Sequence, residues 1–246
     1  MLDKLQTNKR LWLLIALMAL IASSIGVADQ GIYRNFRTVD ALPAILSQDL
    51  VAVLASLGIV GYLFYIYGLY VVGKIYNILY LLYMAIFSLS FFSLVYGIAN
   101  IRDAAYGGIE IPEILRKISA AFLALIPLIF YPMWILQMWP FMREMRVPIV
   151  NSNVYILDVC FLLPVFAMMA AMLLKKSGFA ILLTPVLLIK GFTLAASVAL
   201  TEFLKPFYAL TWDAPFALLF AFLTLASLAL AVVYSRKARY PTAIDT

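Results

Sequence analysis

The stretch TPVLLIKGFTLAASVAL, residues 184–200, is an almost uninterrupted apolar run with a single lysine, Lys190, near its centre. It lies inside a longer apolar segment, Phe179–Leu200, which matches the roughly 20 residues that a helix needs to cross a bilayer core. Hydrocarbon offers the backbone no hydrogen-bond partners, so a crossing segment pairs its own N–H and C=O groups as a helix. This stretch therefore predicts a transmembrane helix that carries an ammonium group at mid-depth.

The composition of the whole chain repeats this pattern. Of the 246 residues, 66% are hydrophobic and 12% are charged, whereas soluble domains carry about 25% charged residues. So much apolar surface does not fit inside one soluble core of this size. We expect an all-α integral membrane protein whose single domain, residues 1–246, is a polytopic transmembrane helix bundle of about seven helices. The predicted spans are Leu11–Ala28, Leu50–Val72, Ile75–Ile98, Ile118–Met138, Val154–Leu174, Phe179–Leu200 and Ala214–Tyr234.

Several classes of chemistry are disfavoured by the residues that are missing. The chain has no histidine and one cysteine, Cys160, so an intrachain disulfide, histidine-ligated haem or zinc and a histidine-based triad are excluded. It also has no phosphate-binding glycine loop, dinucleotide fingerprint or zinc-protease motif. We expect no catalytic residue, no cofactor and no metal. The net charge of +6 indicates membrane orientation rather than nucleic-acid binding.

Basic residues predict how the bundle is oriented. With alternating spans eight of them fall on one side, and cytoplasmic loops carry the excess of Lys and Arg. We therefore expect a multi-pass protein of the cell membrane with a cytoplasmic C-terminus. Lys4, Lys9 and Arg10 favour a cytoplasmic N-terminus too. An odd number of spans places the two termini on opposite sides, so seven spans conflict with this. The alternative interpretation of the first span is a signal sequence. The eight residues are Arg102, Arg116, Lys117, Lys175, Lys176, Arg236, Lys237 and Arg239.

Three motifs stand out along the chain: SQDLV (47–51), the tyrosine-rich YLFYIYGLYVVGKIYNILYLLY (62–83), and YILDVCFLLP (155–164) followed by LLTPVLLIK (182–190). Together they resemble a family of multi-spanning membrane proteins from bacteria and archaea that has no known activity. The resemblance implies a topology and no chemistry. In that family an extra stretch of about one helix separates the first two motifs. Here VAVLASLGIVGYLF joins the two motifs directly. One further crossing at this point would place both termini on the cytoplasmic side, so Leu50–Val72 is the predicted span most open to revision.

Lys190 needs a partner, because a cation at the centre of a membrane helix costs roughly 2.5–3.5 kcal/mol on insertion scales. Asp158 is the nearest candidate, since the two spans that carry these residues are joined by a short turn and are antiparallel neighbours. At 1.5 Å per residue the two positions are offset by about 9 Å, most of which a lysine stem covers. The pair then either clamps two helices together or serves as a substrate counter-charge or proton relay. A retinal Schiff base on Lys190 is a third, less favoured interpretation.

A second candidate surface lies in the tyrosine-rich motif. Tyr76, Tyr80 and Tyr83 recur at spacings of four and three residues, which predicts one helical stripe with Asn77 beside it. Buried phenols need hydrogen-bond partners, so the stripe either packs against other helices or lines a pocket for an amphipathic ligand. The predicted ligand-binding residues are Asp158, Lys190, Tyr76, Asn77, Tyr80 and Tyr83.

Four prolines, Pro127, Pro132, Pro164 and Pro185, lie inside predicted spans. Proline has no N–H and disturbs the turn before it, so each one frees a carbonyl group that a neighbouring helix or a ligand must satisfy. Broken helices of this kind build binding sites in some transporters.

These features predict a small transporter or a binding protein for a small or lipid-like molecule, with Asp158 and Lys190 as its polar centre. The alternative is a structural or accessory subunit of a membrane complex, in which the same pair locks helices together. A membrane-embedded enzyme ranks third, because the histidines and acidic clusters that such enzymes recruit are lacking. The expected partners are membrane lipids and a small-molecule ligand, and a protein partner or a homo-oligomer is also compatible with the sequence.

Overall fold

The computed structural model describes residues 46–99, 109–146 and 152–238, and within these ranges the chain is helical and contains no β-strand. The six helices of the described ranges are α1 (Leu46–Val72), α2 (Tyr80–Ala99), α3 (Glu113–Arg143), α4 (Ser152–Leu174), α5 (Gly178–Leu204) and α6 (Ala214–Lys237). Helix α4 includes a π-helical segment, Asp158–Leu162, and α5 continues as a short 3-10 helix, Lys205–Tyr208.

Six of the seven predicted spans coincide with these helices, while the first, Leu11–Ala28, lies outside the described residues. The predicted number of seven is therefore not confirmed. Four helices, α3 to α6, are long and apolar enough to cross a membrane by length and composition, and α1 and α2 contain shorter apolar stretches, Leu57–Val72 and Tyr80–Val95. This architecture is compatible with an integral membrane protein. Helix α1 also runs without a break from the SQDLV motif into the tyrosine-rich motif, so the span most open to revision is a continuous helix.

Helices that follow one another in the chain run antiparallel, whereas α1 and α5 run parallel. Helix α1 contacts α2 on one side and α5 on the other, α5 also packs along α6, and α3 packs along α4. Gly58 permits the approach of α1 to α5, because a Cβ atom at this position would lie 2.8 Å from Cβ of Ile189 and 2.9 Å from the carbonyl oxygen of Val186. Small residues at a helix contact let two backbones come close together in this way.

Basic residues gather at one end of the bundle, which we call the basic end. Arg116 lies in the first turn of α3 and donates from Nη1 to the carbonyl oxygens of Leu173 (2.6 Å) and Leu174 (3.1 Å) at the end of α4. Helix C-termini carry partial negative charge, so a guanidinium group is stabilising there. The basic end holds Arg116, Lys117, Lys175, Lys176, Arg236 and Lys237, whereas Arg102 and Arg239 lie outside the described residues.

The opposite end contains the ends of α1, α3 and α5 and the starts of α2, α4 and α6. Asn153, at the start of α4, donates from Nδ2 to the carbonyl oxygen of Leu69 near the end of α1 (2.8 Å). Asp213 begins α6 by accepting a hydrogen bond from the N–H of Phe216 (3.0 Å), as N-cap residues do. This end carries charges of both signs.

A tyrosine compensates for the proline inside α5. Pro185 has no N–H to donate to the carbonyl group four residues earlier, which belongs to Ile181. The hydroxyl of Tyr234, on α6, donates to that oxygen at 2.7 Å, and both groups are buried. The prediction that neighbouring helices satisfy the carbonyl groups freed by prolines is met here, and the contact ties α6 to α5 near the basic end.

We expect Tyr234→Phe to lower the free energy of unfolding by about 1–3 kcal/mol, because it leaves a buried carbonyl oxygen unsatisfied. Chemical unfolding of the purified protein in detergent measures the loss. Pro185→Ala restores the backbone N–H, so Tyr234→Phe should cost much less in that background than in the wild type. Tyr208→Phe is the matched control, since Tyr208 is exposed. If Tyr234→Phe lowered the free energy of unfolding equally in the wild type and in Pro185→Ala, Tyr234 would not be replacing the donor that Pro185 lacks.

Candidate functional site

Asp158 lies at the first position of the π-helical segment of α4, and the sequence explains why the helix widens there. Pro164 follows closely and cannot continue the α-helical hydrogen bonding, and a wider turn is one way in which a helix accommodates such a position. The N–H of Leu163 bonds to the carbonyl oxygen of Asp158. The hydroxyl of Tyr131 on α3 donates to the carbonyl oxygen of Val159 (3.4 Å), to which Pro164 cannot donate. A second proline is therefore compensated by a tyrosine.

The carboxylate of Asp158 is buried and accepts one hydrogen bond on each oxygen. The hydroxyl of Tyr65, from α1, donates to Oδ1 at 2.6 Å, and Nε1 of Trp134, from α3, donates to Oδ2 at 2.8 Å. A buried charge without such donors is strongly unfavourable. Two aromatic side chains from different helices therefore hold this carboxylate in place.

Lys190 reaches the same site from α5 but makes no direct contact with the carboxylate. Its Nζ lies over the ring of Tyr65, 4.5 Å from the centroid, and 5.8 Å from the centroid of Phe166. These are cation–π geometries. The lysine stem runs past Gly61 on α1, where an added Cβ would lie 3.3 Å from Cγ of Lys190. The atom Nζ is buried and has no hydrogen-bond partner among residues 46–99, 109–146 and 152–238.

The predicted partnership of Asp158 and Lys190 thus takes an unexpected form. The phenol of Tyr65 stands between them, with its hydroxyl on the carboxylate and its face under the ammonium group. In the described part of the chain no ion pair joins the two charges directly. We call Tyr65, Trp134, Asp158 and Lys190 the polar centre; it joins α1, α3, α4 and α5.

A cavity of about 580 Å³ runs from the polar centre towards the opposite end of the bundle. Its inner part is bordered by Tyr65, Trp134 and Asp158 and by aromatic and aliphatic side chains such as Phe130 and Phe220. Ligand pockets combine such apolar walls with a few polar groups and range over roughly 300–1,000 Å³. The size and the lining are therefore those of a small-molecule site.

Charged residues surround the other end of the cavity. Glu202 and Lys205, at the end of α5, form an ion pair of 2.6 Å, and Asp213 lies at the start of α6. Glu202 is buried, whereas Asp213 is exposed. The cavity therefore reaches the surface at the opposite end of the bundle. The described residues contain no group of three or more acidic or cysteine side chains placed to hold a metal ion.

The predicted tyrosine stripe is located elsewhere. Helix α2 begins at Tyr80 rather than at Ile75, because a turn precedes it in which Oδ1 of Asn77 accepts a hydrogen bond from the N–H of Leu79 (2.9 Å). Tyr76 lies in this turn and is 73% exposed, while Tyr83 is buried in a separate cluster with Tyr67 and Tyr70. The residues Tyr76, Asn77, Tyr80 and Tyr83 do not line the cavity as the structure describes it. Asp158 and Lys190 thus share one site. The other predicted residues contact one another at a second place, where the rings of Tyr76 and Tyr80 lie 4.5 Å apart and Nδ2 of Asn77 donates to the hydroxyl of Tyr83 (3.3 Å).

Three residues of the site were not among the predicted ligand-binding residues. Tyr65 and Trp134 are donors to Asp158, and Glu202 lines the cavity near its exposed end. Glu202 carries a detectable signal, because it is an acidic residue within the last turn of an apolar helix. Tyr65 and Trp134 carry none, since aromatic residues are common in every span and no spacing links positions on separate helices.

No protein-family model matches the chain, and neither curated proteins nor solved structures provide a match. The resemblance to a family of multi-spanning membrane proteins therefore stays a prediction. The geometry of the polar centre and the cavity is the basis for the function proposed below.

We expect Trp134→Phe to lower the free energy of unfolding by about 1.5–3 kcal/mol, because it removes a hydrogen bond to a charged, buried acceptor. Tyr65→Phe should cost a similar amount. Since both donors act on one carboxylate, the double variant should deviate from the sum of the single losses. Unfolding in detergent measures all three, with Trp139→Phe as the control because Trp139 is 60% exposed. A loss no larger than that of the control would contradict this account of Asp158.

Proposed function

We propose that this protein binds, and carries across the membrane, a small amphipathic or lipid-like molecule in the cavity beside the polar centre. The cavity supports this proposal most directly, because it extends from an exposed end to buried Asp158 and has mainly apolar walls. A small number of fixed polar groups in an apolar pocket orients a ligand without binding it permanently. Polar groups buried within membrane spans mark substrate pathways in many transporters.

We propose that this multi-pass protein lies in the plasma membrane. Its C-terminus and the basic end then face the cytoplasm. Six described Lys and Arg residues at that end support it, because positively charged loops are retained inside. The cavity then opens on the outer side of the membrane, near Glu202 and Asp213. The molecule is accordingly taken up from outside the cell or held there.

Cysteine accessibility tests this proposal. In a Cys160→Ala background, which removes the single native thiol, Ala195→Cys should react with a charged, membrane-impermeant thiosulfonate added on the side opposite the C-terminus. Ala195 lines the cavity and is 4% exposed, so the reagent reaches it only through the opening. Protection of Ala195→Cys from this side would contradict a water-accessible cavity.

Phe222→Cys is the matched control for this labelling. Phe222 is 57% exposed on the outer face of α6 and lies about 12 Å from the start of its helix, while Ala195 lies about 13.5 Å from the end of α5. Lipid surrounds an outward position at this depth, so the charged reagent should label it slowly. Labelling of both positions at the same rate would show general exposure to water rather than a cavity.

An accessory or structural subunit is the second candidate, and the polar centre itself favours it, because it links four helices through buried contacts. Lys190→Met separates the two functions, since it keeps the apolar stem and removes the ammonium group. A structural lysine predicts a large loss of stability that leaves ligand binding intact in the folded fraction. A binding protein predicts altered binding in protein that still folds.

A further inference from the structure

Glu202 is a buried carboxylate beside the exposed end of the cavity. Its side chain is 7% exposed, and its Oε1 accepts a hydrogen bond from Nζ of Lys205 at 2.6 Å. The second oxygen, Oε2, is buried and has no hydrogen-bond partner in the part of the chain that the structure describes. A charged acceptor that is only half satisfied is unfavourable when buried. This oxygen therefore lacks a donor, and Glu202 lines the cavity through which a ligand could supply one.

Neighbouring polar groups of the cavity wall already have partners. Oγ of Ser197 donates to the carbonyl oxygen of Thr193 (2.9 Å) and is within 2.8 Å of the hydroxyl of Tyr62. The hydroxyl of Thr201 donates to the carbonyl oxygen of Ser197 (2.8 Å). These side chains satisfy the backbone and one another, so they do not provide the donor that Glu202 lacks.

The charges along the cavity favour a cation at its exposed end and not at its inner end. The lining at the exposed end contains two acidic residues, Glu202 and Asp213, and one basic residue, Lys205. At the inner end each oxygen of Asp158 already accepts a hydrogen bond, and the ammonium group of Lys190 lies behind the ring of Tyr65, where it repels a second cation. One added positive charge near Glu202 balances the exposed end.

The side chains that line the cavity between its exposed and inner ends determine the chemistry of the rest of the ligand. The rings of Phe130 and Phe220 lie 5.7 Å apart, and the ring of Phe216 packs at a tilt against Phe220 with 4.7 Å between centroids. All three border the cavity. Aromatic and aliphatic groups pack well against such rings, whereas a polar chain would lose its hydration there without compensation.

We propose that the ligand is an amphipathic primary ammonium compound, whose –NH₃⁺ group donates to Oε2 of Glu202 and whose apolar body extends inward among the aromatic rings. This inference rests on the proposed binding function and specifies its ligand class. The ammonium group must carry an N–H, because the free oxygen needs a donor, which a quaternary ammonium group lacks. Lys205 keeps its contact with Oε1, and its side chain is 30% exposed and remains hydrated.

Three probes of one shape test the ligand class: 4-phenylbutylammonium, 4-phenylbutan-1-ol and 4-phenylbutyrate. Calorimetric titration uses the full chain in phosphatidylcholine nanodiscs, with empty nanodiscs subtracted. The ammonium compound should bind about tenfold more tightly than the alcohol, as one charge-assisted hydrogen bond provides, and the carboxylate should bind most weakly. Glu202→Gln should abolish the preference for the ammonium compound while keeping the contact between residue 202 and Lys205.

Glu144→Gln is the matched control, because Glu144 lies at the same end, is exposed and pairs with Arg146 (3.3 Å) outside the cavity lining. It should bind the three probes as the wild type does. A second series with phosphatidylethanolamine in the nanodiscs distinguishes two sources of the ammonium group. Competition identifies a lipid headgroup and unchanged binding identifies a soluble amine, and both results support the proposal.

Equal affinities for the three probes in the wild type, or an unchanged preference in Glu202→Gln, would overturn the ligand class. The wild-type series is decisive even if Glu202→Gln does not fold. Neither result contradicts the proposed binding function. Binding of all three probes, together with labelling of Ala195→Cys, would still support a protein that binds amphipathic molecules. Failure of that labelling, in contrast, contradicts the proposed function and not only the choice of ligand.

Discussion

A buried carboxylate in an apolar helix bundle needs hydrogen-bond donors, and the arrangement of this protein depends on how Asp158 obtains them. One donor comes from Tyr65 on α1 and the other from Trp134 on α3, so both helices are fixed relative to α4. The ring of Tyr65 then provides the surface on which Lys190 of α5 rests. Three dissimilar interactions on one phenol and one carboxylate therefore define the relative positions of four helices.

The same principle accounts for the prolines. A proline in a helix leaves a carbonyl group without its usual donor, and an apolar environment offers no water to replace it. The hydroxyl groups of Tyr234 and Tyr131 fill this role for Ile181 and Val159. Tyrosine suits the task because its ring is compatible with apolar surroundings while its hydroxyl reaches a partner. Two of the 15 tyrosines of this chain are thus explained by its internal prolines.

Much of the fold follows from the sequence, because apolar length alone predicts where a helix lies. The ends are less predictable: α2 begins at Tyr80 and not at Ile75, since a local turn around Asn77 competes with the helix. For the site, the apolar surroundings of Lys190 and the antiparallel order of α4 and α5 were sufficient to associate it with Asp158. The intervening Tyr65 could not be predicted, because its position depends on how closely α1 approaches α5 at Gly58 and Gly61.

The order of the polar centre along the chain has a consequence for biosynthesis. Tyr65 and Trp134 both precede Asp158 in sequence, and Lys190 follows it. Synthesis proceeds from the N-terminus, and earlier segments organise before later ones emerge from the ribosome. When the helix with the carboxylate is delivered, both of its donors have already been made. The lysine arrives last, at a site where the carboxylate already has its two hydrogen-bond donors.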